Sequence, residues 1–232
     1  MEKIFKKHET LFCMLIIVVY VLINSYVKSN YDYTSPISFI LNTVYSLVLF
    51  TLIIILKKTK YYGLTPVNKN EYKKFLFFIP MIILSTVNLW NGININHSTK
   101  EIVFYMLTMI NIGFLEEVIF RGFLFKMMAK NNIKSAIIVS SVTFGLGHIV
   151  NLLNGAATVE TVMQICFAIS IGFMLVMVFH KSDSLIPCIL FHSIFNALGI
   201  YNIENNLSLY IIPAVIVLIS GGYTYYLYRY VK

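Results

Sequence analysis

The sequence predicts an all-α polytopic membrane protein, and three observations carry this prediction. Apolar residues make up 58% of the 232 residues, charged residues make up only 12%, and the mean hydropathy is +0.78. A soluble domain is about half apolar and a quarter charged, because its surface has to face water. This chain has too little polar surface for a soluble fold of its size. Lipid is therefore the expected solvent for most of it.

Eight apolar stretches predict eight membrane helices in one integral membrane domain over residues 1–232. A helix needs roughly 20 apolar residues to cross the hydrocarbon core. The third, fifth and seventh stretches are short for that purpose, and the fourth carries charges in its interior. The predicted spans are Thr10–Val27, Pro36–Leu56, Phe75–Trp90, Ile102–Met128, Ser135–Val150, Thr161–His180, Ser184–Gly199 and Leu207–Tyr228.

The basic residues predict how these helices are oriented. With eight spans both termini lie on one side, and fifteen of the eighteen Lys and Arg residues fall on that side. Only Lys28 and Lys100 fall on the other side, and Arg121 lies inside the fourth span. Cytoplasmic loops are enriched in Lys and Arg, so we expect cytoplasmic termini. The net charge of +8 is then explained by orientation, and we expect no nucleic-acid partner.

Three charged residues in the fourth span mark a functional region. A charge at mid-bilayer costs at least a few kcal/mol, so each one requires a reason. Glu117 and Arg121 are four residues apart, about 40° on a helical wheel, and can form an ion pair. Glu116 lies about 140° from Arg121, so its own helix does not neutralise it. A buried packing triad is the alternative interpretation, but it leaves Glu116 without a partner.

The fifth and seventh spans each present a pair of residues on one helix face. Phe144 and His148 share a face of the fifth span, and His192 and Asn196 share a face of the seventh. An interhelical hydrogen bond explains each pair when it is considered alone. Two small residues, Gly145 and Gly147, are expected to let a neighbouring helix approach closely.

Together these residues predict a hydrolytic site inside the membrane. Two imidazoles with a carboxylate or amide oxygen match the ligands of a catalytic zinc ion, here Glu116, His148, His192 and Asn196. A carboxylate beside the attacking water acts as a general base. Counted from the cytoplasmic helix ends, Glu116, His148 and His192 lie at depths of about 18, 20 and 12 Å. They meet only if helices tilt or end early, and we expect access from the cytoplasmic side.

Three motifs carry a resemblance to a known family. In order along the chain they are Glu-Glu-x-x-x-Arg at 116–121, Phe-x-x-x-His at 144–148 and His-x-x-x-Asn at 192–196. They resemble the motifs of the CPBP family, the CAAX protease and bacteriocin-processing family of intramembrane proteases, also called Abi. The resemblance covers residues 114–196 and implies an eight-helix membrane bundle.

The resemblance also implies a role for each motif residue. Glu116 would activate the attacking water with help from His148. His192 and Asn196 would complete the site, either as metal ligands or as a pair that stabilises the oxyanion. The remaining motif residues would have a structural role in the site, and these are Glu117, Arg121 and Phe144. The attacking water is activated either by the glutamate alone or by binding to zinc, and the resemblance leaves both possibilities open.

The family resemblance leaves more than one function and substrate open. The main expectation is an endopeptidase acting on a small peptide or protein precursor. The alternatives are a non-catalytic bacteriocin immunity or binding protein and a small transporter with a proton relay. The abundance of Lys, Asn, Ile and Tyr predicts the cell membrane of a low-GC bacterium. A leader peptide, a pheromone precursor or a bacteriocin precursor fits such a host better than a farnesylated protein.

Overall fold

The computed structural model describes residue 5 and residues 7–231, and over these it is a bundle of eight apolar helices. Seven are long enough to cross a membrane, and the seventh in order is shorter. Lys3, Lys6 and Lys232, which the charge argument uses, lie outside the described residues. The helices are α1 (Glu9–Asn30), α2 (Pro36–Ile55), α3 (Lys69–Leu89), α4 (Thr99–Ala129), α5 (Ile133–Leu153), α6 (Thr158–Ser182), α7 (Ile186–Tyr201) and α8 (Leu207–Tyr230).

Polar residues set several helix starts. Ser35 accepts a hydrogen bond from the Ser38 backbone N–H, and Pro36 follows it as the first residue of α2. At α4, Ser98 and Glu101 form a capping box in which each side chain accepts from the other residue's backbone N–H. Both devices satisfy N–H groups that the first helical turn leaves free. The observed helix bounds lie within a few residues of the predicted spans, except that α3 begins at Lys69 and its predicted span begins at Phe75.

The outer surface of the bundle confirms a multi-pass membrane protein. Large apolar side chains such as Leu22 and Leu218 are 62% and 73% exposed, and similar residues cover most helices. An exposed apolar belt of this extent is unfavourable in water and is the normal surface of a helix in lipid. The predicted fold class is therefore confirmed.

Helix α3 differs from its predicted form. The chain is 3-10 helical over Lys69–Phe78, becomes α-helical only at Ile79–Ser85, and ends in a short 3-10 turn at Val87–Leu89. Leu76, Phe77 and Phe78 have φ of +49°, +51° and +58°, which breaks the helix before Ile79. The apolar run that starts at Phe75 therefore predicted a longer α-helix than forms.

The core is built around the middle of α4. Helix α4 packs against α2 and α7, α5 packs against α6, and α6 packs against α8. At Gly113 a Cβ would lie 2.5 Å from Ser193 Oγ, so α4 and α7 meet there in close contact. Gly145 likewise faces Ile169 of α6, as predicted. The prediction for Gly147 is wrong, because nothing lies within 4 Å of its missing Cβ.

The second half of α4 changes from α to π geometry at the charged motif. Residues Glu117–Phe125 form a π-helix in which every side chain is buried. π segments within α-helices occur often at functional sites, because they turn side chains away from the regular helical positions. Here the change begins directly after Glu116 and includes both Glu117 and Arg121.

Candidate active site

Glu116 is held between two other helices, and its own helix does not contribute a partner. The Tyr20 hydroxyl of α1 donates to Glu116 Oε1 at 2.5 Å, and His192 Nε2 of α7 lies 3.2 Å from Glu116 Oε2. The residue is 9% exposed. The helical wheel predicted that the partner of Glu116 lies outside α4, and the geometry agrees.

Glu117 and Arg121 form the predicted ion pair in the centre of the bundle. Arg121 Nη1 donates to Glu117 Oε1 at 3.0 Å, and neither side chain is exposed. The same carboxylate oxygen lies 2.8 Å from His192 Nδ1. The two ring nitrogens of His192 therefore face two carboxylates. A carboxylate beside one imidazole nitrogen fixes the ring's orientation and tautomer, which is how Glu117 acts on His192.

Phe144 packs at the centre of the motif residues. The Arg121 guanidinium lies 4.2 Å from the centre of the Phe144 ring, in a cation–π contact. The His148 and His192 rings stand edge-on to Phe144, with centroid distances of 5.8 and 5.5 Å. Phe144 thus contacts one residue from each polar motif, which explains why an apolar residue belongs to the pattern.

His148 and Asn196 line the same cavity as Glu116 and His192. The first α-helical part of α5 ends at Leu146, His148 lies in a 3-10 turn after it, and α-helix resumes at Val150–Leu153. In the part of the chain that the structure describes, no hydrogen bond joins His148 or Asn196 to either glutamate.

The cavity has a volume of about 420 Å³ and combines a polar floor with apolar walls. Glu116 and His192 lie at the floor. The walls are apolar side chains from five helices, namely Val21, Met109, Ile112, Phe167, Ile171, Phe191 and Ile216. Such a space suits an apolar peptide segment whose backbone meets a few polar groups.

The cavity opens away from the end of the bundle that carries the termini. Its rim includes Asn24 and Lys28 near the end of α1 and Asn151 and Asn154 near the end of α5. On the other side of Glu116 the space is filled by the buried core of α4. The predicted cytoplasmic termini and the predicted cytoplasmic access therefore refer to opposite ends of the bundle. The orientation of the bundle in the membrane stays a prediction.

The described residues do not form a ready metal site. Within residues 5 and 7–231, no three His, Cys, Asp or Glu side chains lie close enough together to hold an ion. Glu116 and His192 instead contact each other and Tyr20 or Glu117. The zinc site at Glu116, His148, His192 and Asn196 stays a prediction, and no chemical step is derived from it.

Tyr20 is a site residue that the sequence did not reveal. It occurs in an apolar run of α1, far along the chain from all three motifs, where a tyrosine is ordinary. A hydroxyl in the middle of a membrane helix still requires a polar partner, and that was the available signal. Tyr33 and Tyr105 also line the cavity and were not predicted.

Comparison with protein families supports the resemblance seen in the motifs. Residues 98–198 match the family described as Rce1-like, type II CAAX prenyl endopeptidase Rce1-like. The matched segment contains α4 to α6, α7 as far as Leu198, and all three motifs. No curated protein and no solved structure matches the chain.

Proposed function

Because residues 98–198 match the model of the Rce1-like CAAX prenyl endopeptidases, we propose that the chain is an intramembrane endopeptidase that cleaves a small peptide or protein precursor. The observation that carries this proposal is the placement of Glu116. A carboxylate in the middle of the bundle, at the floor of a peptide-sized cavity, is costly unless it is used.

Glu116 is the proposed general base. Its carboxylate takes a proton from a water molecule in the cavity while the water oxygen attacks the scissile carbonyl carbon. Collapse of the tetrahedral intermediate breaks the C–N bond, and the proton passes to the leaving amine. The water oxygen becomes part of the new carboxyl terminus, and the proton becomes part of the new amino terminus.

His192 and Asn196 are proposed to act on the oxyanion, and His148 is proposed to help Glu116 activate the water. They line the cavity beside Glu116, and N–H donors aimed at a developing oxyanion stabilise the transition state strongly. Glu117, Arg121 and Phe144 are positioning residues, because they act through His192. Glu117 contacts its Nδ1, and Phe144 packs on its ring.

The catalytic proposal predicts loss of cleavage when the base or its neighbour is removed. Cells that express the wild type are compared with cells that express Glu116→Ala or His148→Ala, by mass spectrometry of peptide termini. We expect new termini only with the wild type, at equal membrane levels of all three proteins. These termini would also identify the precursor.

The same variants separate catalysis from the immunity alternative. If the chain protects cells from a bacteriocin, and protection survives the loss of Glu116, His148 and His192, catalysis is not its function.

Whether the site uses zinc is tested by the zinc content of the purified protein and by its cleavage rate after chelation. With water activated by Glu116 alone, we expect an unchanged rate.

A further inference from the structure

The two ends of the bundle differ sharply in chemistry. One end, here called the lysine face, is defined by contacts of Lys130 with Glu9, of Lys126 with Asp183 and of the Tyr226 hydroxyl with the Lys74 carbonyl. These contacts join the start of α1 and the end of α8 to the same end of the molecule. Both described chain ends therefore lie at the lysine face.

The opposite end, here called the asparagine face, is held together by hydrogen bonds to asparagine side chains. Lys28 Nζ donates to Asn151 Oδ1 at 2.9 Å, and Ser29 Oγ donates to Asn154 Oδ1 at 2.9 Å. The Asn205 amide donates to Asn91 at 3.1 Å. These contacts join the end of α1 to the end of α5, and the end of α3 to the start of α8.

The charge difference between the faces fixes their orientation. Within the described residues, the chain segments at the lysine face hold twelve Lys and Arg residues. The asparagine face carries two, Lys28 and Lys100, and four acidic residues, which are Asp32, Glu101, Glu160 and Glu204. An imbalance of this size places the lysine face in the cytoplasm.

The cavity with Glu116 at its floor opens on the asparagine face. A second, shallower depression of about 670 Å³ lies in that face and shares three lining residues with the cavity, Tyr105, Gly199 and Asn202. The two spaces are therefore adjacent. Toward the lysine face, Ile119 and Phe125 below Glu116 are 0% and 1% exposed and fill the bundle.

We propose that the site receives its peptide from the extracytoplasmic side of the membrane. This rests on the proposed endopeptidase function and names its substrate class, a peptide or membrane-anchored segment that has already been exported. An export step must therefore supply the substrate, and cleavage follows it. The apolar walls of the cavity suit an apolar segment at the scissile bond.

Cysteine labelling in intact cells tests the orientation without requiring activity. Cys13, Cys166 and Cys188 are replaced by Ala, and single cysteines are introduced as Asn154→Cys at the entrance and Lys74→Cys at the lysine face. A membrane-impermeant maleimide should label Asn154→Cys in intact cells and label Lys74→Cys only after permeabilisation. Asn206→Cys, at an exposed position of the asparagine face, replaces Asn154→Cys if that variant is not inserted.

Protection of the entrance cysteine in intact cells, or equal labelling of the lysine-face cysteine there, overturns the proposal. Because labelling does not depend on catalysis, this result leaves the endopeptidase function untouched. Conversely, if the wild type cleaves no peptide but the labelling pattern is as expected, the endopeptidase proposal is contradicted and the orientation proposal is supported. With a peptide substrate in hand, a bulky maleimide on Asn154→Cys should abolish cleavage by intact cells.

Discussion

His192 is the residue that joins the two glutamates into one site. Its Nδ1 lies 2.8 Å from Glu117 and its Nε2 lies 3.2 Å from Glu116, so one ring contacts both carboxylates. The two neighbouring glutamates have different environments. Glu117 is fully buried against Arg121, whereas Glu116 reaches the cavity. This difference supports the proposal that Glu117 is structural and Glu116 is the general base.

Removing Glu117 should cost stability at least as much as activity. Glu117→Ala leaves the Arg121 guanidinium buried without its counter-ion, which typically costs about 3–5 kcal/mol. Thermal unfolding in detergent measures the effect. The double variant Glu117→Ala/Arg121→Leu should recover part of the loss, because it removes the unpaired charge. A normally stable Glu117→Ala protein without activity would contradict this separation of roles.

Tyr20 should act as a positioning residue for the base. Tyr20→Phe removes the hydroxyl that donates to Glu116, and hydrogen bonds to charged groups contribute about 1.5–3 kcal/mol. We expect kcat to fall by about tenfold or more with little change in KM. The matched control is Tyr45→Phe, whose buried hydroxyl donates to the Ile16 carbonyl away from the cavity. Equal losses in the two variants would show a merely structural role.

At the residue scale, Glu116, His148, His192 and Asn196 line one cavity, and their contacts were predictable only in part. The Glu117–Arg121 pair follows from a four-residue spacing within one helix, because that geometry is local. The contacts of Glu116 with Tyr20 and His192 join residues 96 and 76 positions apart, which no periodicity encodes. They depend on how the helices pack.

The contact between α4 and α7 sets the distance between the glutamates and His192. Gly113 on α4 lies against Ser193, the residue that follows His192. Gly113→Ala would bring a Cβ to 2.7 Å from the Ser193 backbone nitrogen, so one helix must move. Overpacking of this kind costs about 1–3 kcal/mol.

We therefore expect Gly113→Ala to lower both the unfolding temperature and the rate of cleavage. Gly222→Ala on α8 is the control, because nothing lies within 4 Å of its missing Cβ. Unfolding in detergent and cleavage of the same peptide measure the two effects. A Gly113→Ala protein that behaves like Gly222→Ala would show that this contact does not position His192.

At the element scale, hydropathy predicted all eight helices because each one has to cover itself with apolar residues in lipid. The details inside the helices were not predictable in the same way. The π-helix at Glu117–Phe125 and the 3-10 turn at His148 keep the same apolar composition as an α-helix. They form because the packed neighbours hold the backbone there, and composition does not report packing.

At the scale of the whole molecule, the distribution of charge and the direction of the cavity combine in one account. In the proposed orientation the lysine face lies in the cytoplasm, and the peptide enters at the asparagine face. Between them an apolar belt holds a carboxylate at the floor of the cavity. The low charge of the sequence thus leaves few ionisable groups inside the bundle, and these are the groups assigned to catalysis.

The most direct test of the central claim is the cleavage rate of Glu116→Gln, measured with purified protein and the peptide identified from the new termini. The substitution keeps the size of the side chain and removes its ability to accept the proton. The account predicts that kcat falls by about 10²–10⁴-fold while the unfolding temperature stays close to that of the wild type. A stable Glu116→Gln protein with the wild-type rate would contradict it.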